Sequence, residues 1–202
     1  MSRPPFNPHL SISSPFPREE LPALFCWMDR IRDTAVGDEV PRDLNEFVEV
    51  YSRRMEFTDT HTWAVFKDGA LGGHLESLPI GKMNPYDEFV IEEALQYIAQ
   101  AAVVFKRDLW GLKNTVPALN LGLKSIFDTG TETVFFPSFA DNRALIELFK
   151  AVGCSSLGRT LPRMRKGVPV PIELWAITAT EWETRNGEFL REDFHPAEVV
   201  AV

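Results

Sequence analysis

The pattern of apolar and polar positions is most regular between residues 101 and 158, where it predicts alternating strands and helices. An apolar run reaches Phe105, and a polar turn containing Gly111 leads into apolar residues at helical spacing. The elements predicted in this stretch are a strand at 96–105, a helix at 114–128, a strand at 131–136 and a helix at 141–152 closed by Gly153. Strands that alternate with helices pair in parallel through right-handed crossovers. We therefore expect these two strands to be neighbours in one sheet.

The remainder of the chain predicts two further helices and two hairpins. Residues 1–17 contain five prolines and hold at most a short strand near 9–13, because proline removes a backbone donor. Apolar residues recur at helical spacing from Arg18 to Gly37 and again from Pro41, which predicts two helices covering the sheet. The other predicted elements are a hairpin of 62–67 and 70–80, a hairpin of 159–164 and 170–178, and a short helix in the acidic tail 181–202. Residues 86–95 fit neither period.

Single residues add local expectations to this outline. Asp68-Gly69 is a typical hairpin turn, and Gly72-Gly73 predicts a bulge or a close backbone approach. Thr115 is the predicted N-cap of the helix after Gly111. Gly122 in the same helix predicts close contact with the sheet, and Pro162 predicts an edge strand or a bulge.

Length, composition and charge narrow the class of protein. The 202 residues are expected to form a single domain, 1–202, and the 45% hydrophobic and 25% charged residues are a globular balance. A formal net charge of −8 argues against a nucleic-acid partner, and no apolar stretch is long enough for a membrane span. Cys26 and Cys154 form neither a disulfide framework nor a metal-binding spacing, so no metal is expected. The N-terminus lacks the apolar core of a signal peptide, and the cytoplasm is the predicted location.

The loop before the helix at 114–128 is a candidate anion site. The first N–H groups of a helix have no partner inside it, and the helix dipole places partial positive charge there. Gly111 allows a ligand to approach the backbone, and Lys106, Arg107 and Lys113 add positive charge in an acidic chain. The pattern therefore indicates a pyrophosphate site. A plain strand-to-helix connection would show a similar pattern and is an equal alternative.

The helix at 141–152 carries a more specific pattern. Asn142 is followed by Leu148-Phe149, Gly153-Cys154 and Gly158, and Trp110-Gly111 precedes the earlier helix. Over roughly 62–182 the chain resembles the GNAT superfamily of acyl-CoA N-acyltransferases, especially its branch that acts on ribosomal-protein N-termini. The family has Leu-Tyr where this chain has Leu148-Phe149. Two further departures are Lys113, in place of the second loop glycine, and Cys154, in place of an aromatic residue.

The resemblance implies a fold, a cofactor and a reaction. The fold would be α+β, with a mixed, mostly antiparallel sheet of six to seven strands and helices on both faces. The cofactor would be acetyl-CoA, with its pantetheine in a gap between the strand ending at Val103–Phe105 and its parallel neighbour at 133–136. The reaction would be transfer of an acetyl or other acyl group to a primary amine, and the region 18–51 would wall the acceptor site. The cofactor-binding residues implied in this way are Val103, Val104, Phe105, Lys106, Arg107, Trp110, Gly111, Leu112, Lys113, Asn114, Asn142 and Phe149.

Two of these residues have a second interpretation. Asn142 suits a helix N-cap as well as a cofactor contact, and we weigh the two equally. Phe149 is expected to be a buried residue on the helix face. In the resembled family the corresponding Tyr protonates the departing thiolate, which a Phe cannot do.

The sequence offers few groups for proton transfer. Glu76 is the candidate general base and Tyr97 the candidate acid, with Tyr86 as a further hydroxyl. His61 and His74 flank the first hairpin, where a lone histidine is more often structural than catalytic. No nucleophile elbow, Walker A loop or HExxH motif competes with acyl transfer.

The replacements at Lys113 and Phe149 keep open a different class of protein. In that alternative the chain is a catalytically degenerate GNAT-like protein that acts in CoA binding, assembly or regulation. If the chain is an enzyme, its acidic charge favours a cationic acceptor, either a small amine or a protein amine. The sequence is also compatible with a homodimer.

Overall fold

The computed structural model describes residues 9–57, 60–79 and 98–191, which contain seven strands and five α-helices. The strands are β1 (Leu10–Ser13), β2 (His61–Lys67), β3 (Ala70–Pro79), β4 (Ile98–Phe105), β5 (Thr133–Phe139), β6 (Ser155–Arg165) and β7 (Val168–Thr178). The helices are α1 (Leu21–Ala35), α2 (Leu44–Met55), α3 (Leu112–Phe127), α4 (Arg143–Val152) and α5 (Ala179–Arg191). Tyr86 and Tyr97 lie outside the described residues, as does the ambiguous stretch 86–95.

All seven strands form one sheet in the order β1-β2-β3-β4-β5-β7-β6. Every pairing is antiparallel except the one between β4 and β5, which is parallel. The predicted crossover from β4 through α3 to β5 is therefore confirmed. The fold is mixed, mostly antiparallel α+β, as the sequence predicted.

Helices cover both faces of the sheet. On one face, α1 and α2 bury an apolar cluster that includes Leu24, Met28, Phe47 and Tyr51. On the other face, α3, α4 and α5 bury a larger cluster, whose members include Leu119, Leu123, Leu148, Phe149 and Trp182. Burying each such large apolar side chain contributes about 1.5–3 kcal/mol. The cavity described below opens between these two layers.

The first hairpin confirms the two expectations drawn from its glycines. Asp68 and Gly69 have φ values of 54° and 76°, the left-handed pair that a tight two-residue hairpin turn requires. The register then places Val65 opposite Gly73 and Phe66 opposite Leu71, so Gly72 is the extra residue of a bulge. A Cβ atom on Gly72 would lie 2.6 Å from Leu109 Cδ1. The glycine thus lets the loop after β4 pack closely on β3.

Gly122 permits the predicted close contact between α3 and the sheet. A Cβ atom on Gly122 would lie 2.2 Å from Cδ2 of the buried Leu75 on β3. The contact fixes how closely the helix that follows the candidate anion loop approaches β3.

The starts of two helices differ from the sequence prediction. Helix α2 starts at Leu44 rather than Pro41, because the Asp43 carboxylate accepts hydrogen bonds from the backbone N–H groups of Asn45 (2.9 Å) and Glu46 (3.0 Å). Helix α3 starts at Leu112, so the prediction that Thr115 is its N-cap is wrong. Gly111 occupies that position with a φ of 100°, a conformation that glycine adopts without strain.

The last hairpin confirms the expectation for Pro162. Strand β6 is an edge strand of the sheet, and its register with β7 is irregular between Ser156 and Thr160. Proline is tolerated on an edge strand, because one side of that strand has no neighbouring strand that would need a hydrogen bond from its backbone. Among the described helices, none is both long enough and apolar enough to cross a membrane.

Candidate functional site

The parallel strands β4 and β5 separate after three residue pairs. The pairs are Ile98 with Thr133, Ala99 with Val134, and Gln100 with Phe135. Strand β4 nevertheless continues to Phe105, still paired with β3, and β5 continues to Phe139, still paired with β7. The edge of β4 that faces β5 is therefore unpaired from Ala101 onward, and its backbone groups are available to a ligand.

A cavity of about 840 Å³ opens at this separation. Its wall includes residues 100–105 of β4, the start of α3, the start of α4, and the ends of α1 and α2 with the loop between them. Two arginines near the end of β6, Arg163 and Arg165, complete one side. The cavity thus runs from the α3 and α4 layer, between the strands, to the α1 and α2 layer.

The loop between β4 and α3 is held in a fixed shape. The backbone N–H of Lys106 donates to Gly72 O (2.8 Å), and Leu109 is fully buried. The indole N–H of Trp110 donates to Phe105 O (2.8 Å), while the residue remains 54% exposed beside the cavity. These contacts tie the loop to β3 and to the end of β4.

The first turn of α3 presents backbone donors to the cavity. No side chain caps this helix, and the N–H groups of Asn114 and Thr115 both donate to Gly111 O at 3.0 Å. The N–H groups of Leu112 and Lys113 belong to the first turn, where the helix itself provides no acceptor. No atom lies within 4 Å of where a Gly111 Cβ would be, so there is room for a ligand beside the backbone. Free donors at a helix N-terminus favour an anion.

The structure brings together most, but not all, of the predicted cofactor-binding residues. Those that line the cavity are Val103, Val104, Phe105, Trp110, Gly111, Leu112, Asn142 and Phe149. Lys106, Arg107, Lys113 and Asn114 lie in the same loop and first turn, but their side chains are not part of the cavity wall. Lys106 Nζ is 3.2 Å from the Asp108 carboxylate, which partly offsets its charge.

Asn142 shows the capping geometry. Its side-chain oxygen accepts a hydrogen bond from Leu145 N (3.3 Å), which caps α4. The same residue lines the cavity, so the cap also fixes the position of the α4 N-terminus beside the space between β4 and β5.

Glu76 is a buried carboxyl group in the cavity wall. Only 3% of the residue is exposed, and Oε2 lies 3.5 Å from Arg54 Nη1. Its other oxygen, Oε1, has no hydrogen-bond partner among the described residues. Burial raises the pKa of Glu76 above its ordinary value, although the Arg54 charge opposes this shift. A buried carboxyl group with an unused acceptor and a raised pKa is suited to taking a proton from a ligand.

The two histidines considered from the sequence do not line the cavity. His74 is buried with its ring edge against Phe16, 4.9 Å between centroids, and burial lowers its pKa to about 3. His61 packs beside Trp63, at 5.8 Å between centroids. Their positions support the structural interpretation for both residues.

Sequence reasoning missed Tyr51 and Arg54 as site residues. Tyr51 is buried in the cavity wall, and the Arg54 guanidinium lies 5.2 Å from its ring centroid. The available signal was spacing, because Phe47, Tyr51 and Arg54 recur at i, i+4 and i+7 on one helix face. An arginine that continues an apolar stripe faces the same side as the core residues.

Phe149 closes the other end of the cavity with an apolar ring. It is 1% exposed, and its centroid lies 4.8 Å from that of Phe136 and 6.2 Å from that of Trp175. The predicted burial of Phe149 is confirmed. Its side chain can contribute packing to this end of the cavity but no proton.

Comparison with known proteins identifies the fold. No family model matches the chain, and no curated protein matches it. Among solved structures, it is similar to spermidine N-acetyltransferase from Vibrio cholerae in complex with CoA and spermine, at 15% identity over 87% of this chain and 99% of that one, with a TM-score of 0.69.

Two further solved structures have the same architecture with other acceptors. AAC(6')-Ib in complex with ribostamycin and coenzyme A is 14% identical over 86% of this chain and 96% of that one, with a TM-score of 0.69. Ribosomal-protein-alanine N-acetyltransferase from Brucella melitensis is 16% identical over 83% and 98%, with a TM-score of 0.63. The chain therefore has the fold of the GNAT acetyltransferases, as its sequence pattern indicated. Because the three enzymes are named for different acceptors, the fold does not define the acceptor.

Proposed function

We propose that this protein transfers an acetyl group from acetyl-CoA to a primary amine. One observation carries the proposal: the gap between β4 and β5 opens into a cavity whose far wall holds the buried Glu76. The comparison supports it, because structures with this fold were solved with CoA or acetyl-CoA bound.

The residues around the gap fit CoA. The unpaired edge of β4 from Ala101 to Phe105 offers backbone groups to an amide-containing chain such as pantetheine. The N–H groups of Leu112 and Lys113, in the first turn of α3, would donate to a pyrophosphate bound there. The predicted cationic residues Lys106, Arg107 and Lys113 lie in the same loop and first turn, followed by Asn114. Asn142 and Phe149 line the cavity on the α4 side.

Bound acetyl-CoA would supply a thioester carbonyl to the amine. The reaction forms an N–C bond, breaks the C–S bond, removes one proton from nitrogen and returns one to sulfur. Glu76 is the proposed acceptor of the amine proton, because the residue lines the cavity, one of its oxygens has no hydrogen-bond partner among the described residues, and its pKa is raised. Phe149 cannot return a proton to sulfur, and Tyr97 remains the proposed source.

A second candidate is a GNAT-fold protein that binds CoA without catalysis. The observation that favours it is Phe149, a buried ring where the resembled enzymes have a hydroxyl. The two candidates differ in whether any amine releases free thiol from acetyl-CoA.

Glu76→Gln tests the catalytic proposal. We expect kcat for acetyl transfer to fall about 10²–10⁴-fold, the usual contribution of general acid–base catalysis, with little change in CoA affinity. In the unmodified protein, activity should rise with pH through a pKa above the ordinary glutamate value, because burial holds the proton on Glu76 to higher pH. Glu76→Gln should lose that pH dependence.

Thiol release from acetyl-CoA over a panel of amines is the measurement, with CoA binding by calorimetry in parallel. Glu49→Gln is the control, since Glu49 is an exposed residue that pairs only with Arg53 in the described structure. Equal activity and an unchanged pH profile in Glu76→Gln would exclude Glu76 as the base. CoA binding without thiol release for any amine would favour the non-catalytic candidate.

A further inference from the structure

We infer that the acceptor carries a carboxylate next to its amine and an apolar body, as an apolar α-amino acid does. The inference rests on the proposed acetyl transfer and concerns the α1 and α2 end of the same cavity. Three features of the wall support it: the pairing of its acidic side chains, the position of Arg54 beside Glu76, and the apolar residues around them.

The carboxylates in the described cavity wall are each paired with a cation. The pairs are Glu76 with Arg54 (3.5 Å), Glu39 with Arg163 (3.7 Å), Asp33 with Lys166 (2.8 Å), Asp141 with Arg165 (3.0 Å) and Glu147 with Lys150 (2.9 Å). A polycationic acceptor is recognised by carboxylates whose charge is not already neutralised. Among the described residues of this wall, none of these five carboxylates lacks a cationic neighbour. The cavity therefore suits an acceptor with little net charge.

Arg54 provides a cationic binding point beside Glu76. Its side chain is 33% exposed, lines the cavity, and contacts Glu76 through a single N–O distance of 3.5 Å, which is longer than a usual hydrogen bond. The guanidinium has five N–H donors in a planar fork that matches a carboxylate. Its stacking over the Tyr51 ring restricts its orientation. Arg54 can thus bind a ligand carboxylate while it still faces Glu76.

Arg54 and Glu76 together match the two charged groups of an amino acid. In an α-amino acid, the nitrogen and the carboxyl carbon are about 2.5 Å apart by standard bond lengths and angles. An amine that approaches Glu76 from the cavity would then place its carboxylate toward Arg54, which lies 3.5 Å from Glu76 and lines the same wall. An acceptor with a second positive charge near its amine would instead meet the Arg54 guanidinium, where like charges repel. A peptide N-terminus has the amine but no adjacent carboxylate.

The surrounding wall is apolar. The side chains that line this end of the cavity include Met28, Ile31, Val36, Val40 and the ring of Tyr51. They belong to the core that α1 and α2 bury, so the chamber has a packed apolar surface. An apolar side chain would be removed from water there, whereas a second charged group would lose its hydration.

Matched ligands test the inference. L-leucine, L-leucinamide and isoamylamine share an apolar body and an amine, but only L-leucine has a carboxylate; spermidine represents a polycation. With CoA at saturation, calorimetry should show L-leucine binding about 10- to 100-fold more tightly than the other two leucine-like ligands, the usual effect of a charge-assisted hydrogen bond. With acetyl-CoA, kcat/KM should show the same order.

Arg54→Gln should remove the preference for L-leucine over L-leucinamide, and Arg54→Lys should restore part of it. Arg53→Gln is the matched control, because the neighbouring Arg53 is on the surface and pairs with Glu49. The preference is the ratio of the affinities for L-leucine and L-leucinamide. A change in Glu76 basicity alters both affinities alike, so it leaves their ratio unchanged. Thermal melting of each variant separates loss of folding from loss of binding.

The outcomes separate the inference from the proposed function. Equal or tighter binding of isoamylamine, L-leucinamide or spermidine overturns the inference, and acetylation of any of them leaves the proposed function standing. Binding of L-leucine that depends on Arg54, with no acetylation of any amine, supports the inference about the site and contradicts the proposed function. Absence of binding by L-leucine overturns the inference.

Discussion

At the residue scale, Phe149 is the position where this chain departs most clearly from the enzymes it resembles. Its ring is buried against Phe136 and lines the cavity, so it shapes the space between β4 and β5. A phenylalanine in this place cannot protonate a departing thiolate. We therefore expect slow acetyl transfer unless another hydroxyl, such as that of Tyr97, reaches the sulfur.

Phe149→Tyr tests this expectation. The added hydroxyl should raise kcat for acetyl transfer and leave CoA affinity nearly unchanged, because general acid catalysis contributes about 10²–10⁴-fold and the ring position is kept. Steady-state thiol release, with CoA titration in parallel, measures both. A fast unmodified enzyme whose rate Phe149→Tyr does not change would show that another group supplies the proton.

The sequence identified candidate site residues where a local pattern was enough to single them out. Glu76 was a candidate because the sequence offers few general bases and this one lies on the second strand of the first hairpin. Phe149 was singled out because it falls at a fixed spacing from Asn142. The burial of Glu76 and its contact with Arg54 could not be predicted in the same way. That contact joins β3 to α2, residues 22 positions apart, and depends on how the helix docks on the sheet.

At the element scale, the loop and first turn of α3 supply donors in two forms. The backbone N–H groups of Leu112 and Lys113 are fixed by the helix, whereas the Lys113 ammonium is a side-chain charge outside the described cavity wall. The two contributions differ in their salt dependence, since exposed charges are screened over about 10 Å at 0.1 M ionic strength.

Lys113→Ala should weaken CoA binding more at low salt than at high salt. Calorimetry at two ionic strengths is the measurement. Lys124→Ala is the control, because Lys124 lies near the other end of α3 and pairs with Asp128 at 2.6 Å. An equal loss of affinity at both salt concentrations would show that Lys113 acts through shape instead of charge.

A second element-scale feature joins the α1–α2 loop to the turn between β6 and β7. The Asp38 carboxylate accepts hydrogen bonds from the backbone N–H groups of Lys166 (3.1 Å) and Gly167 (2.7 Å), and Asp38 N donates to Met164 O (2.9 Å). Arg165 adds a hydrogen bond to Thr34 O (2.7 Å). Both segments border the α1 and α2 end of the cavity, where the acceptor is proposed to bind. These contacts therefore hold that part of the wall in place.

Asp38→Ala should destabilise the protein at neutral pH, and the difference should shrink in acid. The pKa of Asp38 is lowered in the folded protein, mainly by the hydrogen bond that its carboxylate accepts from Gly167 N. A lowered folded-state pKa contributes stability above the ordinary value of 3.8, and that stability is lost as pH falls through the folded-state value. The measurement is urea unfolding from neutral pH to below the ordinary pKa of 3.8. Asp128→Ala is the control, because the Asp128 side chain is exposed. A difference that is independent of pH would contradict this account.

At the scale of the whole molecule, the sequence predicted the elements and the parallel crossover well. Each element has a local pattern, and the alternation of strand and helix from β4 to α4 limits the topology to few choices. The separation of β4 from β5 after Gln100 was expected only from the resemblance, because strand divergence has no local signature. The ion pairs that neutralise the cavity wall join distant elements and were likewise outside what periodicity could predict.

The central claim is that CoA binds with its pyrophosphate at the start of α3. Calorimetric titration of CoA into the unmodified protein, Gly111→Val and Gly130→Val tests it most directly. Gly111 and Gly130 have φ values of 100° and 90°, and neither would have an atom within 4 Å of an added Cβ, so both substitutions impose similar backbone strain. Of these two glycines, Gly111 lines the cavity and Gly130 does not, so Gly130→Val controls for backbone strain alone.

We predict one CoA site in the unmodified protein and in Gly130→Val, with much weaker binding in Gly111→Val. Where CoA binds, a concentration 100-fold above Kd should stabilise the fold by about 2.7 kcal/mol, which thermal melting can check. Absence of CoA binding by the unmodified protein, or equal affinity in all three proteins, would contradict the account.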